Sequence, residues 1–193
     1  PSELTAHQRA KCEIHFLEAI LPLLSPMVLD AKHPMIRFEN KHLYMMFELE
    51  REGREMLGVM AVPPSAERIF RIEGGKKINL ILSEDLVSEF GHYAFPGYSV
   101  KSKTLVRVTR NADFDTNVDD ADLEHDFDFS KYMKRKVELR STLDAVRVET
   151  DKNSDSLRSF LLKNLNLKKS YCFKAEHYLD YKFLFSLGKY FPE

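Results

Sequence analysis

The sequence predicts an α+β domain: a mixed β-sheet with helices on both faces (a three-layer α/β/α arrangement), in which an N-terminal helix leads into a strand meander. Three observations predict it. Apolar residues recur at helical spacing near the N-terminus, then alternate or run together through residues 35–62, and the second half passes from strand to helix and back. The 193 residues are 44% hydrophobic and 31% charged, enough for one sizeable core without staples. No Pro- or Ser-rich linker separates the halves, so one unit is expected.

The elements follow in chain order. Thr5 and Gln8 have capping-box spacing, and Cys12, Phe16, Ile20 and Leu23 then line a helix that stops near Pro22 and Pro26. Residues 35–38, 43–49 and 55–62 read as strands, with Asn40 and Gly53 in the turns, and Pro63 and Pro64 end the meander. Residues 68–72 and 77–82 are two further strands about a Gly74-Gly75 turn. Ser83 caps a short helix whose apolar face holds Leu86, Val87 and Phe90. A strand over 101–109 follows the Pro96-Gly97 turn, then an acidic loop and a helix near 129–143 carrying Tyr132, Met133 and Val137. The chain closes with a strand at 145–150, a capped helix at 154–165, a strand at 170–174 and a short helix at 179–187 before Gly188.

Composition limits the function. A formal net charge of -1 gives no long-range field for nucleic acid or an anionic membrane, so any anion site is local. Cys12 and Cys172 lack framework spacing and are expected as buried, reduced thiols of a reducing compartment. The N-terminus has no signal-peptide form, and no apolar run approaches the roughly 20 residues that span a bilayer. A cytoplasmic chain with no integral membrane segment is expected.

The strand after Pro96-Gly97 is the first candidate for chemistry. Alternation places Lys101, Lys103, Leu105, Arg107 and Thr109 on one face, and Ser102, Thr104, Val106, Val108 and Arg110 on the other. Cations at every second position lie about 7 Å apart, a pitch that suits phosphate groups. The same pattern suits a solvated face or an edge strand guarded by lysine. At the strand's end, Arg110 can fork onto phosphate or anchor the loop through Asp113, and both roles stay open.

Other patterns carry less. Asp113, Asp115, Asn117, Asp119 and Glu124 mimic the oxygen spacing of a calcium loop, but Val118 stands where glycine is needed and Asp120 where an apolar residue pins the loop. A solvated acidic loop is the better reading. Gly74, Gly75, Lys76 and Lys77 lack the rest of a P-loop. His7, His15, His33, His42, His92, His125 and His177 show no metal-ligand spacing. No catalytic residue and no metal ligand is assigned. Tyr171, Phe173, Tyr178, Tyr181, Phe183, Phe185, Tyr190 and Phe191 crowd the C-terminus; core packing is the default, an interdomain or dimer interface the alternative.

The run Ser102, Lys103, Arg107, Thr109, Arg110, Asn111, Ala112 and Asp113, within residues 95–113, resembles the middle (head) domain of the bacterial polyphosphate kinase family. Leu4, Thr5, Ala6, His7 and Gln8 at one end and Leu179, Asp180, Ser186 and Leu187 at the other are similar to that domain's boundaries. The resemblance implies that residues 1–24 form a helix linking to an N-terminal helical domain and residues 25–193 the middle domain. It implies a full-length enzyme that transfers the ATP γ-phosphate reversibly to inorganic polyphosphate, with magnesium and a phosphohistidine carried on C-terminal domains outside this chain. The piece itself is then expected to be inactive. It would supply tunnel wall, domain positioning and homodimer contacts, with Lys103, Arg107, Arg110 and Asn111 facing polyphosphate or clamping another domain. A stand-alone dimerisation scaffold, or a phosphate- or RNA-binding domain using Lys101, Lys103 and Arg107, are the other readings.

Overall fold

A two-residue hairpin sets the register of the sheet. In the computed structural model, which describes residues 4–29, 36–72, 78–111, 144–152 and 154–191, β2 (Leu43–Arg51) and β3 (Arg54–Ala61) pair antiparallel with Arg51 opposite Arg54. The connecting Glu52 and Gly53 sit at φ 53° and 73°. Two positive φ values in a row match the right-handed twist of the flanking strands, and glycine carries the second without strain. Alternation along β2 then sends Leu43, Met45, Phe47 and Leu49 to one side and Tyr44 and Met46 to the other.

Around this hairpin, β1 (Met27–Leu29), β6 (Ser99–Arg110), β7 (Ala145–Thr150) and β8 (Cys172–Lys174) complete a six-stranded sheet in the order β1-β3-β2-β6-β7-β8. Every pairing is antiparallel except β7 with β8, which is parallel, so the sheet is mixed. A second, two-stranded sheet joins β4 (Ile69–Ile72) to β5 (Asn79–Leu82).

Helices cover both faces of the large sheet. Helix α1 (Ala6–His15) begins with the expected capping box between Thr5 and Gln8 and continues through a π turn at Phe16–Ile20 and a 3-10 turn at Leu21–Leu23. Cys12, Phe16 and Ile20 pack with Leu86, Val87 and Phe90 of α2 (Ser83–Phe90) against Met45, Phe47, Leu49 and Leu105. On the other face, Leu157 and Leu161 of α3 (Asp155–Asn164) meet Tyr44, Met46, Val106, Val108 and Val148. Ser154 caps α3 by accepting the Leu157 amide. The architecture is the three-layer α+β fold that the sequence predicts.

Several expectations are corrected. Ile36, Arg37 and Phe38 do not form a strand; the Phe38 carbonyl is taken by the Arg110 side chain and the Glu39 amide by the Tyr44 hydroxyl, so side chains satisfy groups that a ladder would use. The short β1 occupies that edge of the sheet instead. The cationic strand is β6, paired on both sides by β2 and β7, which rules out the edge-strand reading. Ser83 is the first residue of α2, with Leu82 at the cap position, and its buried Oγ finds no partner among the described residues. Only Leu184–Leu187 (α4) of residues 179–187 is helical. Both cysteines are free, but Cys172 is only half-buried. The Gly74-Gly75 turn, the acidic loop with Ala112 and Asp113, and the helix at 129–143 fall outside the described residues.

Candidate functional site

Lys101, Lys103, Arg107 and Arg110 of the cationic strand each have a partner within the chain. Lys101 meets the Glu50 carboxylate at 2.5 Å. The Lys103 ammonium donates to the Ser88 carbonyl near the C-terminal end of α2, with Glu89 at 3.7 Å, as the partial negative charge of a helix C-terminus favours. Arg107 donates through Nη1 to the Leu179 carbonyl at 2.9 Å and through Nε to the Lys41 carbonyl at 3.4 Å. Arg110, only 8% exposed, points to the opposite face and donates through Nε to the Phe38 carbonyl at 2.8 Å. Burial and the charge of Arg37 lower its pKa, and Tyr44 and Asp144 act in the other direction. The Asn111 amide donates to the Asp144 carbonyl at 2.9 Å, joining the end of β6 to the residue before β7. The four predicted site residues are therefore divided. Lys103 and Arg107 share the α2 face, Arg110 serves the other, and Asn111 closes the strand's end.

A second arginine completes the arrangement on the α2 side. Arg68, just before β4, accepts the Ser83 amide at its carbonyl and sends its guanidinium to Glu84 through Nε (2.8 Å) and Nη2 (2.6 Å). Its remaining donors reach Asp180: Nη1 to the carboxylate and Nη2 to the carbonyl, each at 3.2 Å. Burial opposes the Arg68 charge, but the Glu84 and Asp180 carboxylates outweigh it and hold the guanidinium above its ordinary pKa. At Asp180 burial is likewise outweighed. The Lys182 amide, donating at 2.9 Å, and the Arg68 charge keep this carboxyl below the usual range. Glu84 is only 4% exposed, so without this fork it would be a buried carboxylate with little compensation.

The two arginines thus take consecutive carbonyls, Leu179 and Asp180. Those oxygens are then committed to side chains, and the Asp180 carboxylate closes a turn onto Lys182, which is why helix begins only at Leu184. Asp180, Lys182, Phe183 and Ser186 of this segment line a cleft of about 310 Å³ with Lys41, His42, Pro63 and Pro64, among others. Tyr178, Leu179 and Tyr181 line a second cleft, of about 560 Å³, with Glu84, Asp85, Asp151, Glu176 and His177. Burial raises the pKa of Asp85, helped by neighbouring Glu84; burial also raises that of Asp151, against the Leu105 amide it accepts at 2.7 Å. Among the described residues, no group of three or more His, Cys, Asp or Glu side chains is arranged to hold a metal ion.

The C-terminal aromatics depart from the default. Phe183 alone is buried, against Ile69 and Leu82. Tyr190 is half-buried, with its hydroxyl 3.0 Å from the Ile69 carbonyl. Tyr171, Phe173, Tyr178 and Tyr181 are about half exposed, Phe191 more so, and Phe185 is 93% exposed. Tyr178 packs edge-on against both Tyr181 and Phe183. Isolated exposed aromatics are ordinary on a protein surface; here Tyr178, Tyr181 and Phe185 are exposed within one short segment that polar clamps hold. Sequence reasoning listed these aromatics but did not find Arg68 or Glu84. Their contacts span 16 and 112 residues, beyond any local pattern.

Comparison with known proteins identifies the family and the fold. The family model described as polyphosphate kinase middle domain matches residues 7–187. The polyphosphate kinase of Bacillus anthracis is 35% identical over 196 residues, covering 97% of this chain and 27% of that protein. The Pseudomonas aeruginosa polyphosphate kinase is 32% identical over 180 residues, covering 89% and 25%. A crystal structure of polyphosphate kinase from Porphyromonas gingivalis superposes with a TM-score of 0.67 at 18% identity, over 90% of this chain and 24% of that one, a likeness of fold. The chain spans about a quarter of the length of the curated relatives it matches.

Proposed function

This chain belongs to the polyphosphate kinase family, as its middle domain, and we propose that it braces the full-length enzyme while other domains carry the reacting groups. That enzyme transfers the γ-phosphate of ATP reversibly to inorganic polyphosphate in the cytoplasm, with magnesium, as a homodimer. Residues 1–24 lead from the N-terminal helical domain, and residues 25–193 form the brace. ATP and magnesium are held outside this chain. Lys103, Arg107, Arg110 and Asn111 act as clamps behind the tunnel wall, a reading supported by their bonds to Ser88, Leu179, Phe38 and Asp144.

The observation that carries the proposal is the exposed aromatic row on the clamped C-terminal segment, with Phe185 at its outermost point. Aromatic side chains are favoured where one folded surface meets another, because each buries a large area at low entropic cost. The row therefore seats a flanking domain or the partner subunit. The test is a full-length protein carrying Tyr181→Ser and Phe185→Ser, assayed for ATP-dependent polyphosphate synthesis and for dimer mass. Synthesis is expected to fall at least about tenfold, or the dimer to dissociate, since two aromatic anchors at an interface carry that much free energy. Wild-type behaviour in both measurements would remove the row from the interface. A wild-type enzyme that makes no polyphosphate would overturn the whole reading.

A further inference from the structure

We infer that Arg68 is a positioning residue for the full-length reaction, acting through Asp180 on the path by which the C-terminal segment leaves the domain. The inference rests on the bracing role proposed above and names the residue through which the brace is set.

Three features carry it. First, Arg68 is shared between two elements: its carbonyl and two of its donors bind the start of α2 at Ser83 and Glu84, and its other donors bind Asp180. A planar guanidinium with forked donors fixes both distance and angle, which a lysine ammonium cannot. Second, the segment it holds lines two open clefts, of about 310 and 560 Å³, instead of running inside a continuous core. Leu179 and Phe183 are its buried apolar anchors on either side of Asp180. Between them the direction of the chain is set by the clamps from Arg68 and Arg107. Third, Tyr178, Tyr181 and Phe185, the exposed aromatics, flank Asp180 closely. A rotation of the peptide at Asp180 moves Tyr181, which lies between the two anchors and packs edge-on against Tyr178, and a misplacement of about 1 Å far from the chemistry is enough to slow an enzyme about a hundredfold.

The test uses the full-length protein with Arg68→Met, Arg68→Lys and Asp180→Asn. Asp180→Asn is the mild variant: it keeps an acceptor for the Lys182 amide while removing the charge that Arg68 faces. Two quantities are read together, hydrogen exchange of the amides in residues 178–187, and kcat and KM for ATP in polyphosphate synthesis. Loss of a charged hydrogen bond predicts exchange faster by about tenfold or more in that segment. It also predicts kcat lower by about tenfold with KM for ATP changed less than about twofold. Arg68→Lys is expected to recover part of each. Should Arg68→Met prevent folding, Asp180→Asn decides alone. Faster exchange with unchanged kcat would make the latch structural only and overturn the inference, as would a fall in kcat with exchange left at the wild-type rate. If the wild-type enzyme makes no polyphosphate, the family-based function fails and the positioning role fails with it, whereas normal synthesis with an indifferent Arg68 sinks this inference alone.

Discussion

The Nη1 of Arg107 lies 2.9 Å from the carbonyl oxygen of Leu179, 72 residues further along the chain. With Glu149 at 3.8 Å the guanidinium is part of a half-screened network, and its strongest bond is to backbone. Arg107→Met keeps the aliphatic stem and removes the donor. The isolated chain is expected to lose about 1.5–3 kcal/mol, the range for hydrogen bonds from charged groups. Thermal denaturation measures the loss. An unchanged midpoint would mean that the Leu179 carbonyl is equally well served by water.

What the sequence revealed and what it hid divide by distance along the chain. The Thr5–Gln8 box, the Glu52-Gly53 turn, the Ser154 cap and the alternation of β2 are local signals, each decided within a few residues, and all are found in the structure. The strand with Lys103 and Arg107 was legible as a strand, yet its place at the sheet's centre depends on partners that alternation does not name. Residues 179–187 read as a short helix ending before Gly188, but two distant arginines claim the carbonyls of Leu179 and Asp180. Phe38 is missed for the same reason, since Arg110 reaches it across 72 residues.

Asp85 and Asp151 give a pH prediction with a definite sign. Burial raises both pKa values above the ordinary carboxylate value of about 3.9. A raised folded-state pKa contributes stability below the unfolded value and loses it as pH rises through the folded one. Asp85→Asn removes the ionisable group while keeping an acceptor. The variant is expected to melt higher than wild type at pH 7, and the difference to shrink as pH falls toward 4. A variant less stable than wild type at pH 7 would mean that the Asp85 charge is needed.

Gly58 of β3 is a packing requirement. A Cβ there would stand 2.7 Å from Phe95 Cζ and 2.8 Å from Leu49 Cδ1, both buried side chains. Phe95 is itself held edge-on against Phe47 at 5.3 Å, so it has little room to yield. Gly58→Ala is expected to cost about 1–3 kcal/mol through overpacking, lowering the melting temperature by several degrees. Gly188→Ala, where a Cβ meets nothing within 4 Å, serves as the control and should leave the melting temperature close to wild type.

Arg110 separates a clamp from a ligand contact. Its Nε donates to the Phe38 carbonyl at 2.8 Å from a position only 8% exposed, and its backbone amide donates to the Asn40 side chain at 3.0 Å. Phe38 is fully buried and packs edge-on against Tyr44, whose hydroxyl binds the next amide, so the arginine fixes a turn that supports one core. Arg110→Ala therefore removes the donor from a buried carbonyl and is expected to destabilise the isolated chain by about 2–3 kcal/mol. Arg110→Lys should recover only part of this, because an ammonium cannot keep the same planar approach. Chemical denaturation of the two variants measures both effects. If Arg110→Ala unfolds at the wild-type denaturant concentration while the full-length enzyme loses polyphosphate synthesis, Arg110 serves the anion path and the clamp assigned to it here is wrong.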